Sequence, residues 1–434
     1  MAPRGKKELA PSAPLSKQAQ LLQRLQENNM SVSTASRVMN NWRYIDFMNP
    51  SAQLPTISLE WLFGARGLLA GRIMQLRAKF SKGKSSFMYL QYGAAQLMSK
   101  AFCLHIETEG AGAPADYIAS MGCNPNDLMV AEIPSLEDCL SKVDEVVCQI
   151  RGGFGGGVSA EGRATKTKFT DPIDPNNESP IVIGIDSLSS LGMESGVDVD
   201  IADISSSAQL SYHTRKLREY FRNRVGRFRD TQTLLMLTSH ETAKIEMGGK
   251  KGFGASAGGD KSSLAQEAVG IHATYGVDLN STPYWDKSIG KQIGDIVKMR
   301  TFKNKLSPRF RDLDLYLVWN AGFDLIRTDV EFLMNHSASP FAPQEGKDKQ
   351  LYAHAHGITC KPLSDKPFKT QEDFLRALYG NTDYVMSLRE QLRIRGCGFA
   401  FETRYQEQLE AQEAQEVKGQ AVVDELADAG EGPA

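Results

Sequence analysis

Residues Ala78 to Ser86, "AKFSKGKSS", decide how the rest of the chain is read. Their second half has the form of a phosphate-binding loop. In such a loop successive backbone N–H groups turn toward an anion, a lysine adds a point charge and a hydroxyl holds Mg2+. The pattern G-x-x-x-x-G-K-[ST] asks for glycine first, where this chain has Ala78; Gly83, Lys84 and Ser85 supply its end. A methyl group is tolerable at 78 if that residue does not need a positive φ. The flanks fit: "GRIMQLRA" (Gly71 to Ala78) reads as a buried strand and "KSSFMYLQYGAAQLMSKA" (Lys84 to Ala101) as a helix. Taken alone, the stretch is equally a basic strand–helix turn.

Working outward, the same alternation recurs. "FCLHIETEG" (Phe102 to Gly110) is a strand, and "SLEDCLSKVDEVVCQI" (Ser135 to Ile150) is a helix opened by a Ser-x-x-Asp cap. "IVIGIDSL" (Ile181 to Leu188) and "TLLMLTSH" (Thr233 to His240) are strands that bracket a basic helix, Gln209 to Phe228. The strands are apolar throughout rather than alternating, which argues for a parallel sheet covered by helices on both faces. The fold class is therefore α/β, with a core over residues 57–334.

Before the core, residues 1–56 form an arm in which Leu15, Ala19, Leu22 and Leu25 have helical spacing, suited to packing on the same domain or on a neighbouring copy. Residues 151–180, rich in Gly, Pro and Asn, read as a mobile surface insertion. Residues 335–401 make a small second unit containing a capped helix at Thr370 to Gly380. From Glu402 the tail carries nine acidic and two basic residues, a composition that predicts disorder.

Composition bounds the function classes. The chain has 434 residues, 41% hydrophobic and 24% charged, with a formal net charge of −2. These are ordinary values for a globular protein. No apolar run is long enough for a membrane span, and the basic N-terminus lacks the apolar stretch of a secretory signal. The six cysteines form no CxxC pair, so reduced thiols in a cytoplasmic compartment are the simplest reading. His354, His356 and Cys360 lack a fourth ligand nearby and read as incidental.

Four groups carry chemistry. Lys84 and Ser85 end the loop. Asp186, at the carboxyl end of an apolar strand, suits a Mg2+ shell. Glu107 and Glu109 close another strand at the edge where parallel sheets bind ligands, and the one nearer the loop is placed to orient an attacking water. Lys303, Lys305 and Arg309 form a basic end after "GDIVKMRT", either a solvated turn or a cationic finger for phosphate.

Together these segments resemble the RecA-type DNA strand-exchange recombinases, with features of the phage-encoded branch, from about Ser58 to Gly322. The resemblance implies a RecA-like P-loop ATPase core with a mostly parallel sheet covered by helices, a short N-terminal helical segment and a small C-terminal domain, with ATP and Mg2+ as cofactors. It implies nucleotide contacts from Lys79, Phe80, Ser81, Lys82, Gly83, Lys84, Ser85 and Ser86, and adenine stacking by Tyr117. Lys84, Glu109 and His240 take catalytic roles, His240 as the γ-phosphate sensor that ends its strand, and Ser85 and Asp186 hold the metal. Lys303 and Lys305 are similar to lysines that reach the ATP of the adjacent subunit.

Two loops take their roles from position. The first, 191–206, carries Glu194, Asp198, Asp200 and Asp203, which does not suit phosphate contact. The second, 241–261, sets Lys244, Gly249, Lys250, Lys251, Phe253 and Lys261 among glycines, a pattern that suits a nucleic-acid backbone. The implied partners are single- and double-stranded DNA, further copies of the chain in a helical filament, and single-strand-binding and mediator proteins. The acidic tail is similar to tails that restrain DNA binding. A ring-forming motor of the same core would carry a trans arginine finger where lysines stand here. A DNA-binding mediator with a decayed ATP site would be signalled by Ala78.

Overall fold

The computed structural model describes residues 43–50, 53–110, 112–158, 164–169, 171–192, 206–240, 261–286, 289–337, 351–354 and 357–394. The chain divides into two units, Met1–Arg43 and Tyr44–Ala434, and the second holds all the strands and helices named here. The helix expected at Leu15 to Asn29, most of both loops and the acidic tail lie outside the described residues.

A nine-stranded sheet organises this second unit. Its strands in chain order are β1 (Ile73–Ala78), β2 (Phe102–Glu107), β3 (Leu128–Glu132), β4 (Ile181–Asp186), β5 (Thr233–His240), β6 (Tyr275–Asp286), β7 (Lys291–Asn304), β8 (Asp312–Val318) and β9 (Gly322–Phe323). They lie in the spatial order β9-β8-β7-β6-β1-β5-β4-β2-β3. The run from β3 to β6 is parallel throughout. Strands β7, β8 and β9 continue it as an antiparallel meander from β6.

The helices are α1 (Ile57–Phe63), α2 (Lys84–Ser99), α3 (Ala115–Ser120), α4 (Leu136–Arg151), α5 (Ser206–Asp230), α6 (Lys261–His272), α7 (Leu325–Asn335), α8 (Gln371–Tyr379) and α9 (Thr382–Ile394). One face of the parallel strands buries Ile106, Ile183, Leu235 and Leu237 against Val143 of α4, Phe221 of α5 and Val269 of α6. On the other face α2 lies so close to β4 that a Cβ on Gly184 would fall 2.0 Å from the Tyr92 hydroxyl. Only glycine fits there, which explains its place in an otherwise bulky strand. The expected cap of α4 is formed: Ser135 Oγ accepts from the Asp138 amide at 3.1 Å. Thr370 caps α8 in the same way, accepting from the Asp373 amide at 3.0 Å.

The structure corrects one expectation and refines two others. Tyr44 to Met48, expected in the arm, belong to the core unit. Tyr44–Asp46 pairs with Gly67–Leu69, Ile45 and Phe47 are fully buried, and Phe47 stacks on Phe63 with centroids 4.9 Å apart. Within 151–180, expected to be a mobile surface insertion, Gly153–Val158 and Ala164–Phe169 form a two-stranded antiparallel ribbon. Backbone pairing needs no side chains, so a glycine run can serve as one strand. At its base Arg151 pairs with Asp174 at 2.6 Å. The sheet is mostly parallel, as expected, and turns antiparallel at β7, where a hairpin replaces a helical crossover.

Asp329 of α7 ties distant segments together. Buried, its carboxylate accepts the amides of Ile57 (3.2 Å) and Ser58 (2.9 Å), the Ser58 hydroxyl, and the Tyr379 hydroxyl of α8 (2.8 Å). Burial pushes its pKa up to about 6, against the pull of those hydrogen bonds. Asp329→Ala strands these donors and should cost about 3 kcal/mol at neutral pH, read by denaturant unfolding. The wild type should also gain stability relative to Asp329→Asn as pH falls. A carboxyl whose folded pKa is raised contributes fully below its unfolded value of 3.8 and loses that contribution as pH rises through about 6.

Candidate functional site

Strands β1, β2, β4 and β5 are adjacent and parallel, so their carboxyl ends form one edge, and the chemistry-bearing residues collect there. A cleft of about 500 Å3 opens at this edge, lined on one side by Ser81 to Ser86, Glu109, Asp186 and His240.

The loop from Ala78 to Lys84 shows why its missing glycine is tolerated. Ala78 is the last residue of β1, fully buried and in register with His240 of β5. The left-handed backbone falls at Ser81 (φ 53°) and Gly83 (φ 84°) instead. The lead position therefore makes no demand that alanine fails to meet. Gly83 precedes α2 directly, which turns the first amides of that helix toward the cleft. Lys84 is buried, and its ammonium donates to the carbonyls of Lys79 (3.1 Å) and Ala78 (3.4 Å). Lys82 reaches across to β6, donating to the Ser281 carbonyl at 3.0 Å.

His240 joins two parts of the site. Its Nδ1 lies 3.2 Å from Lys84 Nζ and its Nε2 lies 2.7 Å from Glu109 Oε1. An ammonium has only donors, so Nδ1 accepts and the ring proton resides on Nε2, donating to the carboxylate. The exposed Phe80 ring stacks on the imidazole with centroids 4.2 Å apart.

Glu109 also accepts from Ser187 Oγ (2.8 Å) and Ser190 Oγ (3.0 Å). Burial pushes its carboxyl up, but the hydrogen bonds from His240, Ser187 and Ser190 outweigh it and hold Glu109 below the usual range. Strand β2 ends at Glu107, so the two glutamates do not share a face. The Glu107 carboxylate turns back, accepting from the Glu109 amide at 2.8 Å with His105 beside it. Hydrogen bonding to His105, opposed by burial, holds its pKa down.

Asp186 accepts from Ser85 Oγ on one oxygen and from Thr238 Oγ1 on the other. A hydroxyl and a carboxylate so placed are a hard-oxygen pair of the kind Mg2+ takes. Tyr117 of α3 sits at the far end of the loop, its hydroxyl 2.6 Å from Ser86 Oγ.

The structure thus gathers Ser81, Lys82, Gly83, Lys84, Ser85, Ser86, Phe80, Glu109, Tyr117, Asp186 and His240 around one cleft. Lys79 contributes its carbonyl to Lys84. Lys303 and Lys305 stand outside the cleft lining. Lys303 donates to the carbonyls of Gly270 and Ile271 at the end of α6, and the Lys305 amide donates to Thr274 O. Lys244, Gly249, Lys250, Lys251 and Phe253 lie outside the described residues; Lys261 begins α6.

Sequence reasoning misses the opposite wall: Ser281 of β6, Asp295 and Val297 of β7, Leu317 of β8 and Trp319 just after it. It also misses the serines that hold Glu109, although the run "DSLSS" (Asp186 to Ser190) is a signal for them. Among the described residues no cluster of three metal-ligating side chains occurs, and no helix is long and apolar enough to cross a membrane. The five described cysteines are buried and free.

No protein-family model matches the chain. Over 296 residues it is 24% identical to Protein RecA of Chlamydia pneumoniae, covering 67% of this chain and 72% of that protein. Over 281 residues it is 23% identical to Protein RecA of Chlamydia felis (strain Fe/C-56), covering 65% and 68%. Over 323 residues it is 21% identical to Protein RecA of Pseudomonas syringae pv. syringae (strain B728a), covering 73% and 78%. At this low identity the chain is similar to RecA proteins over two thirds or more of their length, and its large, mostly parallel α/β sheet is consistent with a RecA-like core.

Proposed function

We propose that this chain is an ATP-dependent DNA recombinase that assembles as a helical filament on single-stranded DNA and promotes homologous pairing and strand exchange. The observation that carries the reading is the convergence of Lys84, Ser85, Asp186, Glu109 and His240 on one cleft at the carboxyl edge of the parallel strands. The similarity to RecA proteins supports the same conclusion.

In this reading the amides of 81–86 and the Lys84 ammonium grip the phosphates. Ser85 and Asp186 would hold Mg2+, which when bound neutralises charge on the phosphate oxygens. Glu109, ionised and fixed by hydrogen bonds, orients the attacking water. The nucleoside lies toward Tyr117, with the Trp319 ring on the facing wall. A phosphate at Lys84 competes with His240 Nδ1 for the ammonium. His240 responds, and its backbone leads directly into the segment carrying Lys250 and Lys251. ATP and DNA grip are coupled through that residue. Lys303 and Lys305 contact the ATP of the adjacent subunit, and head-to-tail contacts of that kind, when they do not close, build a filament. The helix of the N-terminal arm, with Leu15, Ala19, Leu22 and Leu25, is the docking piece, 335–401 a small C-terminal domain, and the acidic tail a restraint on DNA binding.

Single-stranded DNA binding titrated across salt tests this, with electron microscopy of the wild type, ATP and DNA. Filaments are expected, and Lys250→Ala with Lys251→Ala should weaken binding and reduce the salt slope by about 1–2. An unchanged slope, or rings in place of filaments, would refute the assignment.

A further inference from the structure

Among the described residues three carboxylates line the cleft: Glu109, Asp186 and Asp295. The first two are held by hydroxyls and the imidazole on the phosphate side. Asp295 belongs to the facing wall and has no part in that chemistry. Its placement follows from strand geometry. Val297 packs against the phosphate loop, since a Cβ on Gly83 would lie 3.1 Å from Val297 Cγ2. Asp295 stands one alternation back along β7, on the same face and about 7 Å away. Leu317 lies opposite it in register on β8, and Trp319 comes two residues later. The Trp319 indole donates to Asp295 Oδ2 at 3.2 Å, while the ring itself stays half exposed in the cleft.

A carboxylate in an anion-binding cleft repels the phosphates and must face the uncharged part of the ligand. Oriented by an N–H donor on one oxygen, it presents the other as an acceptor beside an aromatic surface. Resting on the nucleotide reading of this cleft, we infer that Asp295 reads the nucleoside. It accepts a hydrogen bond from a donor group of the bound nucleoside, the exocyclic amine of adenine or a ribose hydroxyl, while Trp319 fixes its direction. Asp295 is a specificity-determining residue and takes no part in hydrolysis.

The test is equilibrium binding to the full chain of the Mg2+ complexes of ATP, purine riboside triphosphate (which lacks the amine), 2′-deoxy-ATP and 3′-deoxy-ATP. It is run on the wild type, Asp295→Ala and Trp319→Phe. The wild type should bind ATP about tenfold or more tightly than the analogue missing the group that Asp295 reads. That analogue identifies the source as base or sugar. In Asp295→Ala the ratio should fall toward one. In Trp319→Phe, which keeps an aromatic face but loses the indole donor, it should fall partway. If Asp295→Ala does not fold, Trp319→Phe decides. A wild type that treats all four ligands alike, or variants that keep its ratios, would overturn the inference and leave the triphosphate reading intact. A wild type that binds none of the four overturns both.

Discussion

Lys84→Ala should lower ATP hydrolysis in the presence of single-stranded DNA by about 100-fold or more, as loss of one preorganised electrostatic donor does elsewhere. The expectation is strong because the ammonium has two tasks. It lines the cleft proposed to hold the phosphates, and it ties the loop together by donating to the carbonyls of Ala78 and Lys79. It also touches His240 Nδ1, so its removal leaves that nitrogen without the cation now opposite it. The check is a steady-state ATPase assay beside circular dichroism and thermal melting, which separate a lost site from a lost fold. Lys84→Arg keeps the charge but brings a planar fork into a buried position, and should recover only part of the rate. Hydrolysis at the wild-type rate in Lys84→Ala would remove the phosphate-loop assignment and with it the proposed activity.

Glu109→Gln should lower kcat by about 100- to 1,000-fold while leaving the nucleotide Kd within a fewfold of wild type. Glutamine keeps an oxygen for the His240 Nε2 proton and for the Ser187 and Ser190 hydroxyls, so the cleft stays built and only the charge is lost. This substitution is more informative than acidification. The native carboxyl is held below its ordinary range and is ionised throughout neutral pH. Separate measurement of binding and single-turnover hydrolysis distinguishes the outcomes. Parallel losses in both would mean that Glu109 holds the loop rather than the water. An unchanged rate would mean that the base lies elsewhere.

How much of the fold and site is legible in the sequence depends on how local each signal is. Strands β4 and β5 are plain because every residue of "IVIGID" and "TLLMLTSH" is buried, and a continuous apolar run has few other uses. The loop, Asp186 and Glu109 each fall at or just beyond the end of such a strand, so the parallel arrangement alone brings them together. The caps at Ser135 and Thr370 are legible for the same local reason. Strand β3 is harder. It is an edge strand whose Met129 and Val130 are exposed, so its burial pattern carries little period. The ribbon of Gly153–Val158 and Ala164–Phe169 is hidden because glycines pair through backbone alone. The wall carrying Asp295 and Trp319 is out of reach for another reason. Its residues lie more than a hundred positions from the loop in sequence, and only the hairpin from β6 to β7 folds them over it. The alternation at Val297 to Thr301, buried at odd positions and exposed at even ones, marks β7 as a two-sided strand, but nothing local says which cleft it faces.

The grip of Lys303 on the end of α6 bears on the segment between His240 and Lys261. That segment departs from one anchored strand and returns into a helix whose far end is pinned to the same sheet. Its ends are therefore tethered before any ligand arrives, and part of the closure entropy is spent during folding. On the proposed reading, DNA held by that segment is gripped from two elements tied to one sheet, so the attachment points need not be gathered when it binds.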